Sequence, residues 1–257
     1  MDKVKQLILL TTLFFGVFVA HAQDGNHVFV QLNVENNAWT LDNYEKVNAT
    51  VIYPEVMYLS TYGSGKGGGN WELDFPGIFS ALFGNGNKLA SDDSLYISNI
   101  NICNFISRHY LVDIADETHS IGFAWGIDFV GNQLAQNAEE GNLESGDQIA
   151  QVMGMGVLLG GAYEYNMDDR LLVDLDLTSH LVYNSESAKQ NGRTFHGVGW
   201  RSRLRARYYL SSNFVAKAEL LLESNHHGPN EINVSEDGGK FSYSQFSIGI
   251  GYQWVRP

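Results

Sequence analysis

The chain has 257 residues, and its 29 acidic against 16 basic side chains give a formal charge of -13. This acidic balance excludes nucleic acid as an expected partner, because its phosphates would be repelled. The single cysteine excludes an intramolecular disulfide and a thiolate zinc cluster. A hydrophobic content of 44% excludes a disordered chain, so we expect a folded protein that is unusually rich in glycine.

Residues 1–22 have the features of a secretory signal peptide. Lys3 and Lys5 precede an apolar stretch of residues 7–20, and Ala20-His21-Ala22 forms a small-x-small cleavage site. The stretch is shorter than the roughly 20 residues of a membrane helix. We therefore expect cleavage after Ala22, followed by a single domain over residues 23–257.

The N-terminal half of this domain offers three candidate strands and one irregular strand. The first two cover residues 27–41 and 47–62, although Pro54 argues against the second. A short third strand near residues 70–75 is an option. Residues 95–114 are strand-like, but their apolar parity changes between Ile97 and Ile100, which predicts a bulge. The apolar segment 75–83 is expected to pack as a turn of helix, with a membrane-dipping loop and a lumen plug as the alternatives.

From Asp147 onward, apolar and polar residues alternate with period two over 14 to 18 positions, much longer than the usual strand of 5 or 6 residues. Short connections at residues 115–118, 166–169 and 211–213 alternate with long polar ones at 135–146, 185–194 and 225–240. This asymmetry is typical of a transmembrane β-barrel. The pattern predicts an all-β, closed, up-and-down antiparallel transmembrane β-barrel of 8 to 10 strands, with a slight preference for ten.

Charged residues share one face of the C-terminal strands. Folding the hairpins about their loops brings Asp174 near Arg205, and Arg203 between Asp176 and Glu219. We expect a salt-bridge network with a structural role in the barrel lumen, formed by Asp174, Asp176, Arg201, Arg203, Arg205, Arg207, Lys217, Glu219 and Glu223.

Aromatic residues lie on the opposite, apolar face, near the short turns. Rings at one height are expected at a membrane interface. The predicted aromatic belt comprises Tyr163, Tyr165, Tyr208, Phe214, Tyr252 and Trp254.

With its long alternating strands, its loop asymmetry and the closing stretch Phe246-Ser247-Ile248-Gly249-Ile250-Gly251-Tyr252-Gln253-Trp254, the sequence resembles small bacterial outer-membrane β-barrel proteins. The resemblance covers nearly all of residues 23–257 and concerns architecture. It implies export to the outer membrane of a Gram-negative bacterium. It also implies assembly by the barrel-assembly machinery and contact with outer-membrane lipids and lipopolysaccharide.

Three groups of polar residues are candidate sites for metal binding or catalysis. His226 and His227 are adjacent in a polar segment and form a weak candidate metal site. The pair Asp174 and Asp176 is similar to the aspartates of omptin proteases but lies at the wrong rim. Ser107 and His109 lie two apart on one strand face, loosely similar to lipid A deacylases in reversed order. The sequence offers them no convincing third group to orient the histidine.

We therefore expect no catalytic residue, no cofactor, and a non-enzymatic structural or surface-interaction role. A barrel of eight to ten strands leaves little open bore, so the lumen is expected to pass at most water or small ions. Two alternatives stay open: a barrel enzyme acting on lipid or peptide at the outer face, and a soluble lipocalin-like binding protein with inverted faces. The sequence gives no indication of oligomeric state.

Overall fold

The computed structural model describes residues 25–41, 44–63, 66–76, 88–89, 95–99, 103–114, 118–136, 147–168, 170–184, 196–227 and 239–254. Nearly all of them form β-strands. In chain order these are β1 (Gly25–Leu41), β2 (Tyr44–Tyr62), β3 (Gly69–Asp74), β4 (Lys88–Leu89), β5 (Leu95–Asn99), β6 (Cys103–Ile114), β7 (His119–Gln136), β8 (Asp147–Asp168), β9 (Leu171–Asn184), β10 (His196–Tyr209), β11 (Phe214–His227) and β12 (Gly239–Trp254). The predicted signal peptide lies outside the described residues.

Ten of these strands close into one antiparallel barrel. The order β7-β6-β3-β2-β1-β12-β11-β10-β9-β8 returns to β7 through the pairing of β7 with β8. The first and last barrel strands meet in register from Asn26 opposite Trp254 to Leu41 opposite Gly239. The predicted closed up-and-down barrel is confirmed, and its strand number is ten.

The tenth strand is the short β3, where the sequence offered an optional strand near residues 70–75. It pairs with β2 on one side and with β6 on the other. Pro54 lies within β2, although a proline argued against a strand at this position. It stands opposite Leu32 of β1, and the pairing of β2 with β3 begins only at Tyr58. The missing N–H of Pro54 is therefore tolerated beside a single described strand neighbour.

The predicted irregular strand is divided into two. β5 and β6 follow one another along the same edge of β7, with residues 100–102 between them outside the described part. The register of β6 also shifts between Tyr110 and Val112. Of the apolar segment 75–83, only Phe75 and Pro76 are described.

The strand ends joined by the predicted short connections and by the β2–β3 turn lie at one rim, which also holds Gly25 and Trp254. β1 and β2 are joined at the opposite rim, where Leu41 stands opposite Tyr44 and Gly239, so one further short connection, residues 42–43, belongs to that rim. Gly67 and Gly68 of the β2–β3 turn exchange backbone hydrogen bonds with Tyr110 of β6. At the opposite rim, residues 137–146, 185–195 and 228–238 lie outside the described part of the chain. No described helix has the length and apolar character needed to cross a membrane.

Period-two alternation separates two chemically different faces. The inner face carries buried polar and charged side chains, whereas the outer face exposes aliphatic and aromatic ones. Val30 and Ile250 are each 61% exposed, and Arg205 is completely buried. This is the reverse of the facing that a lipocalin-like soluble barrel requires.

The inner face is also asymmetric in size. β7 and β8 contribute small residues to it, including Ala124, Gly156 and Ala162, and the long arginines reach across from other strands. A Cβ added at Gly156 would collide with Asp128 Oδ1 and with the His180 ring. The absence of a side chain at Gly156 thus makes room for a polar contact between β7 and β9.

We predict that Gly156→Val lowers the free energy of unfolding by about 2–4 kcal/mol, because it separates Asp128 from His180 and overpacks the interior. Gly161→Val is the matched control, since a Cβ at Gly161 meets nothing within 4 Å. Urea unfolding of both variants in detergent, followed by tryptophan fluorescence, measures the difference. Equal midpoints for the two variants would contradict the assignment of Gly156 to the packed interior.

Candidate functional site

The charged interior is the most distinctive feature of the barrel. All nine charged residues that the sequence assigned to the lumen are at most 4% exposed, and each has an oppositely charged partner within 4 Å. Buried charges are costly unless they are paired and hydrogen-bonded. The interior supplies the ion pairs by joining acidic and basic rows from different strands.

Glu72 of β3 lies at the centre of this arrangement. Its carboxylate is 3.2 Å from Arg108 Nη1 and also contacts the guanidinium groups of Arg203 and Arg205. Arg205 in turn donates from Nε to Glu219 at 2.7 Å. One carboxylate therefore connects arginines from β6 and β10, which are not neighbours in the sheet.

The register fits part of the pairing expected from the sequence. Asp174 stands opposite Arg205, and Asp176 stands opposite Arg203. The two aspartates nevertheless form ion pairs with other arginines than the ones they face. Asp174 pairs with Arg207 at 2.9 Å, and Asp176 accepts a hydrogen bond from Arg108 Nε at 2.8 Å. Side chains in a narrow barrel reach diagonal and opposite-wall partners as easily as the directly facing one.

A second cluster lies nearer the rim of the long loops. His180 Nε2 is 3.0 Å from Asp128 and His180 Nδ1 is 3.1 Å from Glu223. Arg201 donates from Nε to Glu223 at 2.7 Å and also contacts Asp128. The two carboxylates and the imidazole have the spacing of a metal site, but the guanidinium of Arg201 already contacts both carboxylates.

Two further buried carboxylates use neutral donors. Glu35 accepts hydrogen bonds from Asn37 at 2.6 Å and from Tyr53 at 2.9 Å. Glu55 accepts from Gln31 at 2.8 Å and from the backbone N–H of Phe75 at 3.2 Å. The last contact attaches the end of β3 to the interior.

Near the short-turn rim, an apolar cluster packs on the inner side of β1, β2 and β11. Phe29, Met57, Leu59 and Val215 are completely buried and pack together with Tyr209. A cavity of about 270 Å³ lies at this rim, lined by Thr61, Gly63, Gly69, Glu164, Leu172, Arg207 and Tyr209. At this rim the interior therefore contains an apolar cluster on one side and a cavity with charged lining residues on the other.

The rings assigned to the aromatic belt lie on the outer face. Tyr208 is 43% exposed, and Phe214 contacts Tyr252, whose ring stacks near Trp254. Tyr163 and Tyr165 both contact the ring of His119. The ring contacts continue past Trp254 along four residues that sequence analysis did not include, namely Tyr58, Trp71, Phe105 and Trp125.

The two candidate metal-binding histidines lie at consecutive positions near the end of β11. His226 stands opposite Val198 and His227 opposite Gly197. Consecutive positions of a strand lie on opposite faces, so this backbone geometry does not favour joint coordination of one ion. A metal site at these residues stays a prediction.

Ser107 and His109 lie on the outer face of β6, and a third residue joins them. Ser107 Oγ is 3.1 Å from His109 Nε2, and the hydroxyl of Tyr62 is 2.6 Å from His109 Nδ1. The Tyr62 hydroxyl also donates to the carbonyl of Arg108 at 3.2 Å. Sequence analysis missed Tyr62 because it lies 47 residues away at the end of another strand.

Sequence analysis also missed the partners that reach across the lumen. Glu72 and Arg108 belong to strands whose facing was uncertain, and Asp128 was not among the residues assigned to the lumen. The alternation of Asn70, Glu72 and Asp74 in the optional third strand was the available signal, since it places these three on one face.

Comparisons with known proteins find solved structures that this chain resembles at low similarity. No family model and no curated protein matches the sequence. OprG from Pseudomonas aeruginosa matches over 92% of this chain and 98% of its own, with 10% identity and a TM-score of 0.35. The translocator domain of the autotransporter NalP from Neisseria meningitidis matches over 96% and 95%, with 14% identity and a TM-score of 0.44. The Ail protein of Yersinia pestis matches over 90% and 99%, with 7% identity and a TM-score of 0.31.

We predict that Glu72→Gln destabilises the protein by about 3–5 kcal/mol, because it leaves three buried guanidinium groups without their shared carboxylate. The double variant Glu72→Gln/Arg203→Met is expected to recover part of this loss by removing one unpaired charge. Denaturant unfolding of the three proteins measures both differences. A Glu72→Gln midpoint equal to that of the unsubstituted protein would contradict the central role of Glu72.

Proposed function

We propose that this chain is a bacterial outer-membrane β-barrel protein, with a lumen that charged side chains fill and that passes at most water or small ions. Because the lumen is filled, we propose that the protein acts through its outer surfaces, in a structural or surface-interaction role. The observation that carries this proposal is the facing of the barrel. The four arginines of β10 are at most 2% exposed inside it, whereas aliphatic and aromatic side chains are exposed outside.

The outer face supports insertion into a bilayer. Its exposed apolar side chains come from strands all around the barrel, including Leu32, Phe123, Leu177, Leu204 and Ile248. Monomeric soluble proteins rarely expose contiguous apolar surfaces larger than a few hundred Å². The strands close in a ring from β7 round to β8, and pairing of backbone groups within the wall is the condition for crossing hydrocarbon. β2 has described partners on both sides from Tyr58 onward.

The inner face supports a closed lumen. Arg108 and Arg205 are completely buried, and both contact Glu72 from different sides of the bore. The apolar cluster around Phe29 and Met57 lies beneath them. An eight- to ten-stranded barrel has room for interior side chains and little else, so ions would have to displace this network to pass.

The partners we propose follow from this location. Outer-membrane lipids, with lipopolysaccharide in the outer leaflet, would contact the apolar face, and the barrel-assembly machinery would insert the chain after export. The predicted signal peptide of residues 1–22 would direct that export.

We expect the mature protein to fractionate with the outer membrane, to need detergent for extraction, and to migrate differently on SDS gels before and after boiling. In planar bilayers the folded protein should give no stable open-channel current, because ion pairs occupy the lumen. Recovery in the soluble periplasmic fraction without a mobility shift would contradict membrane insertion.

A triple variant tests whether the charged side chains close the lumen. Replacing Glu72, Arg203 and Arg205 together by Ala removes the side chains that meet at the centre of the lumen. This triple variant should conduct measurably if it keeps the heat-modifiable mobility of a folded barrel. A large current through the unsubstituted protein would show that the lumen is open and would overturn this part of the proposal.

A further inference from the structure

Three polar side chains form one hydrogen-bonded group on the largely apolar outer face. Ser107, His109 and Tyr62 come from β6 and from the end of β2, and Trp71 and Trp125 stand opposite Ser107 on the two neighbouring strands. Polar and ionisable groups on a lipid-facing surface are costly and rare. Their occurrence as one connected group therefore calls for a function.

The hydrogen bonds determine which nitrogen of His109 carries the proton. The indole N–H of Trp125 is only a donor, and it points at Nε2 from 3.4 Å, so Nε2 is the acceptor. In the neutral ring the proton is then on Nδ1, which donates to the hydroxyl of Tyr62. Ser107 consequently donates its hydroxyl proton to Nε2. This is the arrangement of a nucleophile, a general base and an orienting group.

The group lies at the height of a membrane interface. The chain of ring contacts from Phe214 through Trp254 and Tyr58 continues to Trp71 and Trp125, which flank Ser107. Tyr62 is the last residue of β2, immediately before the short turn. Aromatic belts lie at the headgroup level, where the ester bonds of glycerophospholipids also lie.

From this geometry we propose that Ser107, His109 and Tyr62 form a serine esterase site that hydrolyses acyl esters of glycerophospholipids at the short-turn side of the membrane. The proposal requires the membrane insertion argued above but does not depend on a closed lumen. Ser107 is the nucleophile, His109 is the general base, and Tyr62 is a positioning residue that holds the His109 ring.

The reaction balances with water as the co-reactant. Ser107 Oγ forms a bond to the ester carbonyl carbon while its proton passes to His109 Nε2. Collapse of the tetrahedral intermediate breaks the bond to the glycerol oxygen, which takes that proton and leaves as the lysophospholipid. Water then attacks the carbonyl carbon of the acyl-serine and gives a proton to His109. The bond from that carbon to Ser107 Oγ breaks, Oγ takes the proton from His109, and the fatty acid leaves.

Access to Ser107 is controlled by its aromatic neighbours. Ser107 is 5% exposed and Trp71 is 7% exposed, whereas Trp125 is 37% exposed. Movement of the Trp125 side chain toward the lipid would open the path to the hydroxyl. The same movement would release the indole N–H from His109, and this donor could then bind the carbonyl oxygen as negative charge develops on it.

The test uses the folded protein in detergent micelles that contain dioleoyl phosphatidylethanolamine. We expect release of oleate and lysophospholipid, and covalent labelling of Ser107 by a fluorophosphonate probe, located by peptide mass spectrometry. Ser107→Ala should abolish both, and His109→Gln should lower kcat by about 10²–10⁴-fold. The matched control is Ser60→Ala, since Ser60 is a buried serine opposite Trp71 on the same face.

Tyr62→Phe separates positioning from simple structural support. It removes the acceptor for His109 Nδ1, so we expect a lower kcat, an unchanged KM and an altered pH profile, while heat-modifiable mobility stays intact. A folded, membrane-inserted protein that neither takes the probe nor releases oleate would overturn the esterase proposal and leave the barrel proposal standing. Equal oleate release by the Ser107→Ala variant would overturn it as well.

Discussion

The requirement that buried charges be neutralised inside the wall organises this barrel. Arginines from β6 and β10 are sequestered from solvent, and each needs a carboxylate at hydrogen-bond distance. Glu72 meets that requirement for three of them at once. The bore is consequently a cross-linked layer that joins opposite walls, which backbone pairing between neighbouring strands cannot do.

This cross-linking needs one wall of small residues. Small inward residues on β7 and β8, such as Ala124 and Gly156, leave space for the guanidinium group of Arg201 on β10 to reach Asp128 on β7. Gly156 illustrates the point, because any side chain there would strike the contact between Asp128 and His180. The high glycine content of the chain and its arginine row are therefore two parts of one packing solution.

Sequence alone predicted the barrel because period-two alternation is a local property. The apolar row of β9, for example Leu175 and Leu177, identifies the outer face without any knowledge of its neighbours. The pairing of Asp176 could not be predicted in the same way. Its partner Arg108 is 68 residues away on a strand that is not adjacent in the sheet, so only the closed, three-dimensional arrangement brings the two together.

The hydrogen-bonded group on the outer face could also be predicted only in part from the sequence. Ser107 and His109 were recognised as a pair, but Tyr62, the residue that orients His109, was not. Tyr62 lies close to His109 because β3 pairs with both β2 and β6. A strand of only six residues thus places the end of β2 within reach of β6. Because the short β3 also carries Glu72 on its inner face, one element completes the charge network inside and the hydrogen-bonded group outside.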